Sequence, residues 1–306
     1  MIGTYVGLSH ASGVDWPTDW YGRFDSTGTA VRALRIAPFF GWRFGPIRVA
    51  AGPHIDFVRL GLRRRLDMVD QESRFELEAW GVGLGGDVSI FAQPIPELTL
   101  GLSYKSRTAL TLEGDVDFDG TPLAFEERTR DQHASTEMTL PDRIAVGAGL
   151  HLGRVSAYLD VALTLWSVRE RLRVDFENDA TPDVNSPQNW HEAVNVRAGV
   201  EWRLHRLFEV RAGVYLDPTA APDDTLAPTT PDMTRLGFSI GGSVSPVGWL
   251  AFDVHYEHVR LLGRDTTSPD AVLAHYSGYA HVLGIGARVH VDPAGGRNGR
   301  PRPASQ

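Results

Sequence analysis

The most regular stretch of the chain lies between Trp190 and Asp217 and contains two alternating segments. Apolar residues occupy every second position from Val194 to Leu204 and again from Phe208 to Leu216, with charged, polar and glycine residues between them. Successive side chains of a strand point to opposite faces, so this pattern predicts a hairpin with one apolar and one polar face. Each strand has roughly the 9–11 residues that a tilted strand needs to cross a bilayer.

The same alternation recurs along the chain and predicts about twelve strands. The other strands are expected near residues 2–9, 30–42, 47–57, 75–91, 97–112, 143–152, 155–166, 235–244, 250–257 and 279–291. Short connections such as Gly45-Pro46 and His205-Arg206 alternate with long polar ones such as 114–136, 177–189 and 217–232. Bacterial outer-membrane barrels have short periplasmic turns and long outer loops. The pattern therefore predicts an all-β, antiparallel transmembrane barrel, and a soluble β-protein is the weaker alternative.

Composition agrees with this interpretation. The chain contains 42% hydrophobic residues and no cysteine, and its mean hydropathy is −0.19. Barrel strands expose only half of their residues to lipid, so they give a weak hydropathy signal. A net charge of −8 gives nucleic-acid binding no electrostatic support. The start, MIGTYVGLSH, lacks the basic and apolar signal segment of an exported protein, so we expect a mature, trimmed or late-starting sequence.

Aromatic residues near the predicted strand ends suit the interfacial girdles of a membrane barrel, although strand ends often carry an aromatic in any case. They are Trp42, Trp80, Trp166, Trp190, Trp202, Trp249 and Tyr279. We expect residues 1–291 to form one barrel. The tail Asp292 to Gln306 is rich in proline, glycine and arginine, and we expect it to be disordered.

Several stretches carry a family resemblance. They are GTYVGLSHASGVDWPTDWYGRF near the start, LTLGLSYKS at 98–106, LPDRIAVGAGLHL at 140–152, TLWSV at 164–168 and RAGVYLDPTAAPDDTLAPTTPDMTRLGFSIGGSV at 211–244. In order and spacing they resemble the FadL-type family (FadL/TodX) of outer-membrane transporters for long-chain fatty acids and other hydrophobic compounds. The resemblance implies a fourteen-stranded barrel with an N-terminal hatch, and a kinked third strand that opens the wall sideways to the membrane.

The sequence departs from that family in three respects. It shows no hatch with the family's Asn-Pro-Ala segment, it lacks roughly the first one or two strands, and it ends in a polar tail rather than an aromatic residue. We therefore expect a hatch-less fragment or a divergent member. Whether this chain transports on its own is left open by these differences.

Pro38 lies inside the strand that the resemblance aligns with the kinked one. Proline has no N–H to donate to a ladder, so within a strand it marks an edge, a bulge or a break. The missing hydrogen bond makes Pro38 our candidate for a lateral opening. A proline tolerated close to a strand end is the equally weighted alternative.

The predicted lumen face carries both signs of charge. Its cations are Arg35, Arg48, Lys105, Arg143, Arg197, Arg203, Arg211, Arg235 and Arg288, and its carboxylates are Asp56, Asp87, Asp160, Glu201, Glu209, Asp253 and Glu257. A cross-strand network that neutralises these charges is the favoured interpretation. The alternative is that a few cations hold the carboxylate of a fatty acid. Arg197, Arg235 and Arg288 are the ligand-binding candidates.

Catalysis is not expected. The segment from Gly237 to Gly241 matches the Gly-x-Ser-x-Gly pattern, but it lies within a predicted strand, whereas a nucleophile elbow needs a strand-to-helix turn. We expect neither a metal nor a cofactor.

The function predicted is passive uptake of long-chain fatty acids or similar hydrophobic compounds through a monomeric barrel in the bacterial outer membrane, in contact with membrane lipids. A general diffusion porin or a purely structural barrel is the alternative.

Overall fold

A computed structural model describes residues 1–267 and 272–289. This part contains sixteen strands and two short 3₁₀ helices, Leu123–Phe125 and Trp166–Val168. The strands are β1 (Ile2–Asp15), β2 (Gly28–Phe44), β3 (Ile47–Asp67), β4 (Glu72–Ile95), β5 (Leu98–Lys105), β6 (Thr108–Asp119), β7 (Gln132–Leu140), β8 (Arg143–Leu152), β9 (Val155–Thr164), β10 (Arg171–Phe176), β11 (Val184–Pro187), β12 (Ala193–His205), β13 (Phe208–Asp217), β14 (Arg235–Val247), β15 (Leu250–Asp265) and β16 (His275–Val289). The predicted tail and the last two residues of the predicted final strand lie outside these ranges.

The strands form an antiparallel sheet that divides at β4. The C-terminal part of β4 pairs with β5, beginning with Asp87 opposite Lys105. The N-terminal part of β4 pairs with β6 and ends with Trp80 opposite Glu113. The wall continues from β5 through β8, β9 and β12 to β16, whereas β6 continues through β7 and β10 to β11. The second branch forms a separate outer lobe.

The carboxylate of Asp142 holds the point of division. It accepts hydrogen bonds from the Tyr104 hydroxyl (2.6 Å), the Arg107 backbone N–H (3.0 Å) and Arg107 Nε (2.7 Å). Asp142 is 3% exposed, so these bonds are shielded from water. They join the short connection between β5 and β6 to the short connection between β7 and β8.

The two ends of the wall meet on the outer side. The rings of Trp16 and Tyr276 lie 6.1 Å apart, and the backbone N–H of Val272 donates to Asp25 Oδ2 at 3.0 Å. In the part of the chain that the structure describes, no ladder joins β1 to β16. The sheet therefore curls into a barrel whose seam is held by outer-loop contacts.

The apolar side chains change from the outward face to the inward face partway along β2, β3 and β4. At the membrane level the outward positions are apolar, and Leu34, Phe57 and Val82 form one such row. The next outward row holds Arg32, Arg59 and Trp80, while the inward residues beside it, Ala33 and Val58, are buried. This change marks the outer edge of the lipid belt.

Above that edge the inner faces of the sheet pack against one another. The outer ends of β2, β3 and β4 and the strands of the lobe contribute to one buried cluster that includes Leu60, Leu77, Leu112, Met138 and Val174. These side chains are less than a tenth exposed, so the lobe is held by ordinary hydrophobic burial.

Three sequence expectations are wrong here. The predicted polar loops 114–136 and 177–189 contain most of β7 and all of β11 together with the end of β6. On β2, β3 and β4 the inner face is charged only within the membrane level, since the outer ends of these strands pack apolar side chains against the lobe. The first strand is also longer than predicted and carries a bulge at Ser9, between Leu8 and His10.

The start of β6 crosses the inner face of β4 along a row of glycines. A Cβ on Gly81 would lie 2.2 Å from the carbonyl oxygen of Thr111, and one on Gly83 would lie 2.3 Å from the Thr108 side chain. No side chain fits between the two backbones. Glycine is required here for close approach, and the ladder on the edge of β4 that pairs with β5 and β6 is interrupted from Gly81 to Gly86, whereas the ladder with β3 is continuous.

Gly81→Ala tests this crossing. The added methyl meets backbone that cannot turn aside, so we expect the free energy of unfolding to fall by about 1–3 kcal/mol. Urea-induced unfolding in detergent micelles measures the change. Gly61→Ala is the matched control, because a Cβ there meets nothing within 4 Å. Equal stability of the two variants would show that β6 does not cross β4 in this way.

Candidate functional site

An apolar cavity of about 200 Å³ opens in the outer lobe. It lies between β3 and β4 on one side, β10 and β11 on the other, and the segment 224–229. Its apolar lining comes from Leu62, Phe75, Leu172, Val174 and Val184. The Arg64 guanidinium lies over the Phe75 ring at 5.2 Å, so its charge rests on an aromatic face at the cavity wall. This cavity suits the hydrocarbon part of a ligand.

A buried polar cluster lies directly beneath the apolar core. Arg35 donates to both carboxylate oxygens of Asp56, from Nε at 2.9 Å and from Nη2 at 2.7 Å. The hydroxyls of Ser9 and Thr108 donate to the same carboxylate, each at 2.9 Å. Asp56 is fully buried, so four hydrogen bonds replace its water shell.

His54 extends this cluster toward β4. It is fully buried, with Nδ1 3.0 Å from Asp87 Oδ1 and Nε2 2.9 Å from the Thr108 hydroxyl. The ring covers Gly85, whose Cβ would lie 2.3 Å from Nε2. The bulge in β1 turns Ser9 inward, and the crossing of β6 brings Thr108 over β4. Both hydroxyls therefore reach the carboxylate of Asp56. We call Ser9, Arg35, His54, Asp56, Asp87 and Thr108 the polar partition.

Beside the partition, the wall carries cations that form no ion pair among the described residues. They are Lys105 on β5, Arg143 on β8, Arg169 after β9 and Arg197 on β12. We call these four residues the cationic arc. Nε of Arg143 is buried without a hydrogen-bond partner. Asp160 faces Arg197 across the ladder but makes no ion pair with it. A bound anion would complete the polar contacts of this wall.

Arg169 stands among aromatic rings. Its guanidinium lies 4.7 Å from the Trp190 ring, Trp190 contacts Trp166 at 5.1 Å, and Trp166 contacts His10 at 5.9 Å. Arg169 belongs to the connection above β9, outside the membrane-spanning strands. Burial lowers the pKa of its guanidinium to about 10, so it remains charged at neutral pH despite losing water. Sequence reasoning missed Arg169 because it lies outside any alternating segment.

The structure does not bring the three predicted ligand-binding arginines together. Arg235 sits at the outer end of β14 and pairs with Asp217 and Asp232, both at 3.3 Å. Arg288 lies near the other end of the barrel and pairs with Asp253 at 2.9 Å. Arg197 lies over the Tyr215 ring at 5.9 Å. The ion pairs of Arg235 and Arg288 fit the network interpretation, and Arg197 belongs to the cationic arc.

Pro38 lies opposite a second proline. The β2–β3 ladder runs to Ile36 opposite Ile55 and resumes at Phe40 opposite Ala51, leaving Pro38 and Pro53 inside the interrupted stretch. The carbonyl oxygen of Pro38 is so close to Gly52 that a Cβ there would lie 1.9 Å away. This seam is closed by contact rather than by hydrogen bonds.

No catalytic arrangement surrounds Ser239. Its hydroxyl donates to the Gly213 carbonyl at 3.4 Å, and Glu257 accepts from the Tyr215 hydroxyl at 2.9 Å. Within residues 1–267 and 272–289, no three His, Asp or Glu side chains are placed to hold a metal ion. The helices of the same residues are all too short to cross a bilayer.

Comparisons with known proteins agree on one group. The family model "Outer membrane protein transport protein (OMPP1/FadL/TodX)" matches residues 61–290. The fold is similar to that of a Pseudomonas aeruginosa FadL homologue, with a TM-score of 0.85 and 15% identity, over 94% of this chain and 74% of that one. No curated protein matches the chain.

Two further solved structures share the fold. The Pseudomonas putida toluene transporter TodX gives a TM-score of 0.70 at 13% identity, over 94% of this chain and 78% of that one. The Ralstonia pickettii toluene transporter TbuX gives 0.65 at 17% identity, over 94% and 77%.

Asp56→Ala tests the polar partition. Removal of the carboxylate leaves the buried Arg35 guanidinium without its two hydrogen bonds and with only the longer ion pair to Asp87 (3.6 Å), so we expect a loss of about 3 kcal/mol in the free energy of unfolding. Asp119→Ala, which breaks the exposed pair with Arg74 on the lobe, is the control and should cost below about 1 kcal/mol. Heat-dependent gel mobility and urea unfolding measure both. A loss at Asp56 no larger than at Asp119 would contradict the buried network.

Proposed function

Because the chain belongs to the family of outer membrane transport proteins described as OMPP1/FadL/TodX, we propose that its cargo is a hydrophobic compound with a carboxylate head, such as a long-chain fatty acid. The family is one of transporters, and passive uptake of hydrophobic compounds through an outer-membrane barrel is its function. The observation that carries the choice of cargo is the apolar outer cavity above the unpaired cationic arc.

The outer cavity supplies the first step. Transfer of a hydrocarbon chain from water onto apolar walls is favourable by about 0.8 kcal/mol for each buried CH₂ group. Leu62, Phe75 and Val174 provide such walls at the outer end of the barrel. A flexible chain therefore gains affinity in proportion to its length, and this gain draws it out of dilute solution.

The cationic arc supplies recognition of the head group. Charge-assisted hydrogen bonds from a guanidinium to a carboxylate are roughly twice as strong as neutral ones. Arg143 and Arg169 are both partly removed from water and unpaired, so a carboxylate restores contacts that folding has taken away. Trp166 and Trp190 cover the adjacent part of the ligand.

The polar partition favours a sideways exit. An alkyl chain gains nothing from a route through Arg35, His54 and Asp56, whose hydrogen bonds it would have to break. The Pro38/Pro53 seam lies at the same depth and lacks ladder hydrogen bonds. Separation of β2 from β3 at this seam therefore costs less than it does elsewhere in their ladder, and we assign the lateral opening to it.

Arg169→Gln tests head-group recognition. We expect the Kd for a long-chain fatty acid to rise about tenfold, because one charge-assisted contact is lost. Fluorescence titration in detergent micelles measures it. Binding of toluene, which has no charge, should not change. Arg235→Gln is the matched control, since Arg235 is already paired with two carboxylates.

The possible outcomes separate the cargo from the transport activity. An equal loss for toluene would mean that Arg169 only supports the fold. Fatty-acid binding that is unchanged in Arg169→Gln and in Lys105→Gln would rule out the cationic arc while leaving hydrocarbon transport in place. Steady ion conductance in planar bilayers without saturable binding of either compound would identify a diffusion pore.

Pro38→Val tests the lateral opening. Valine restores an N–H that can donate across the seam, so we expect slower uptake of a labelled fatty acid by cells and an unchanged or higher unfolding temperature. Pro94→Val, on an exposed end of β4, is the control. Normal uptake by Pro38→Val, in a variant at least as stable as the unchanged chain, would contradict the assignment of the lateral opening to this seam.

A further inference from the structure

A shallow pocket of about 260 Å³ lies on the outer surface of β2, β3 and β4, away from the lumen. Its floor is formed by Ala30 and Gly61, which face each other across the ladder. Its charged rim consists of Arg32, Arg59, Arg63, Glu76 and Glu78. The two small residues create the depression, because a Cβ on Gly61 would meet nothing within 4 Å.

The charges of this rim are only partly paired, since Arg32 and Glu76 form no ion pair within the described part of the chain. Arg32 and Arg59 are directly opposite each other in the β2–β3 ladder, an arrangement that is unfavourable for like charges. Arg59 Nη2 pairs with Glu78 at 2.7 Å, whereas Arg32 forms no ion pair within the described part of the chain. Both arginine side chains are exposed. An anion between them would relieve the repulsion.

The depth of the pocket identifies the kind of anion. Arg32 and Arg59 lie one outward row above Leu34 and Phe57, the last apolar row of the lipid belt, which is roughly 7 Å along the strand. That is the level at which the head groups of the outer leaflet meet the barrel. Trp80 shares the row with Arg59 and is 68% exposed, as expected for an aromatic residue at a membrane interface.

We propose that this pocket binds a phosphate group of a glycolipid in the outer leaflet, with Arg32 and Arg59 as its principal ligands. Arginine matches phosphate through parallel N–H···O bonds. The acyl chains of the same lipid lie along Leu34, Phe57 and Val82 below. Arg63, held by Asp15, closes the upper side of the pocket. Arg59 then contacts both Glu78 and the phosphate.

The test uses the full chain folded in detergent micelles and bisphosphorylated lipid A as the probe. Tryptophan fluorescence of Trp80 and the temperature of heat-dependent gel mobility report binding. We expect the double variant R32A/R59A to bind lipid A at least about tenfold more weakly than the unchanged chain. Gly61→Leu fills the floor without a backbone clash and should weaken binding to a similar degree.

Controls distinguish this site from general charge attraction. Arg74→Ala removes an exposed arginine from the same outer surface, outside the pocket, and should bind lipid A normally. Dephosphorylated lipid A should bind the unchanged chain as weakly as lipid A binds R32A/R59A. Millimolar inorganic phosphate should not displace lipid A. Equal losses in R32A/R59A and Arg74→Ala, normal binding by Gly61→Leu, or displacement by free phosphate would each overturn the lipid assignment.

Discussion

Contact with lipid determines which face of each wall strand is apolar. A strand inside a bilayer needs apolar side chains outside and paired backbone groups on both edges, whereas a strand above the bilayer needs the opposite choice of faces. β2, β3 and β4 pass through both environments, and their side chains exchange faces between Phe57 and Arg59 and at the equivalent rows. The outer lobe exists because the apolar inner face above this level requires a covering layer.

The polar partition lies at the boundary between the strand segments inside the bilayer and those above it. An ion pair such as Arg35–Asp56 is costly to bury unless all of its polar atoms are satisfied. Here two irregularities of the backbone, the bulge at Ser9 and the crossing at Thr108, bring the two hydroxyls that complete it. The interior therefore changes from apolar at Ala33 and Val58 to polar at Arg35 and Asp56, and the cationic arc lies beside the polar side of that change.

Much of the wall could be predicted from the sequence, because two-residue alternation over ten positions specifies a strand and its two faces. The hairpin of β12 and β13 and the tight turn at Gly153, with its positive φ, agree with the prediction. Alternation alone does not say which face is inside. The change of the apolar face from outward to inward above Phe57 could therefore not be predicted. The short strands β10 and β11 and the position of Arg169 depend on contacts with distant segments, which no local pattern reveals.

The division of the sheet at β4 makes one edge of that strand serve two neighbours. Among the described strands β4 alone has three partners, β3 on one edge and both β5 and β6 on the other. A ladder with β5 that continued upward would occupy the edge that β6 needs. That ladder ends at Lys105, and Arg107, two residues further on, is held by hydrogen bonds to Asp142. One edge of a single strand therefore serves both the wall and the lobe, and the position at which it passes from one to the other is fixed by a single carboxylate.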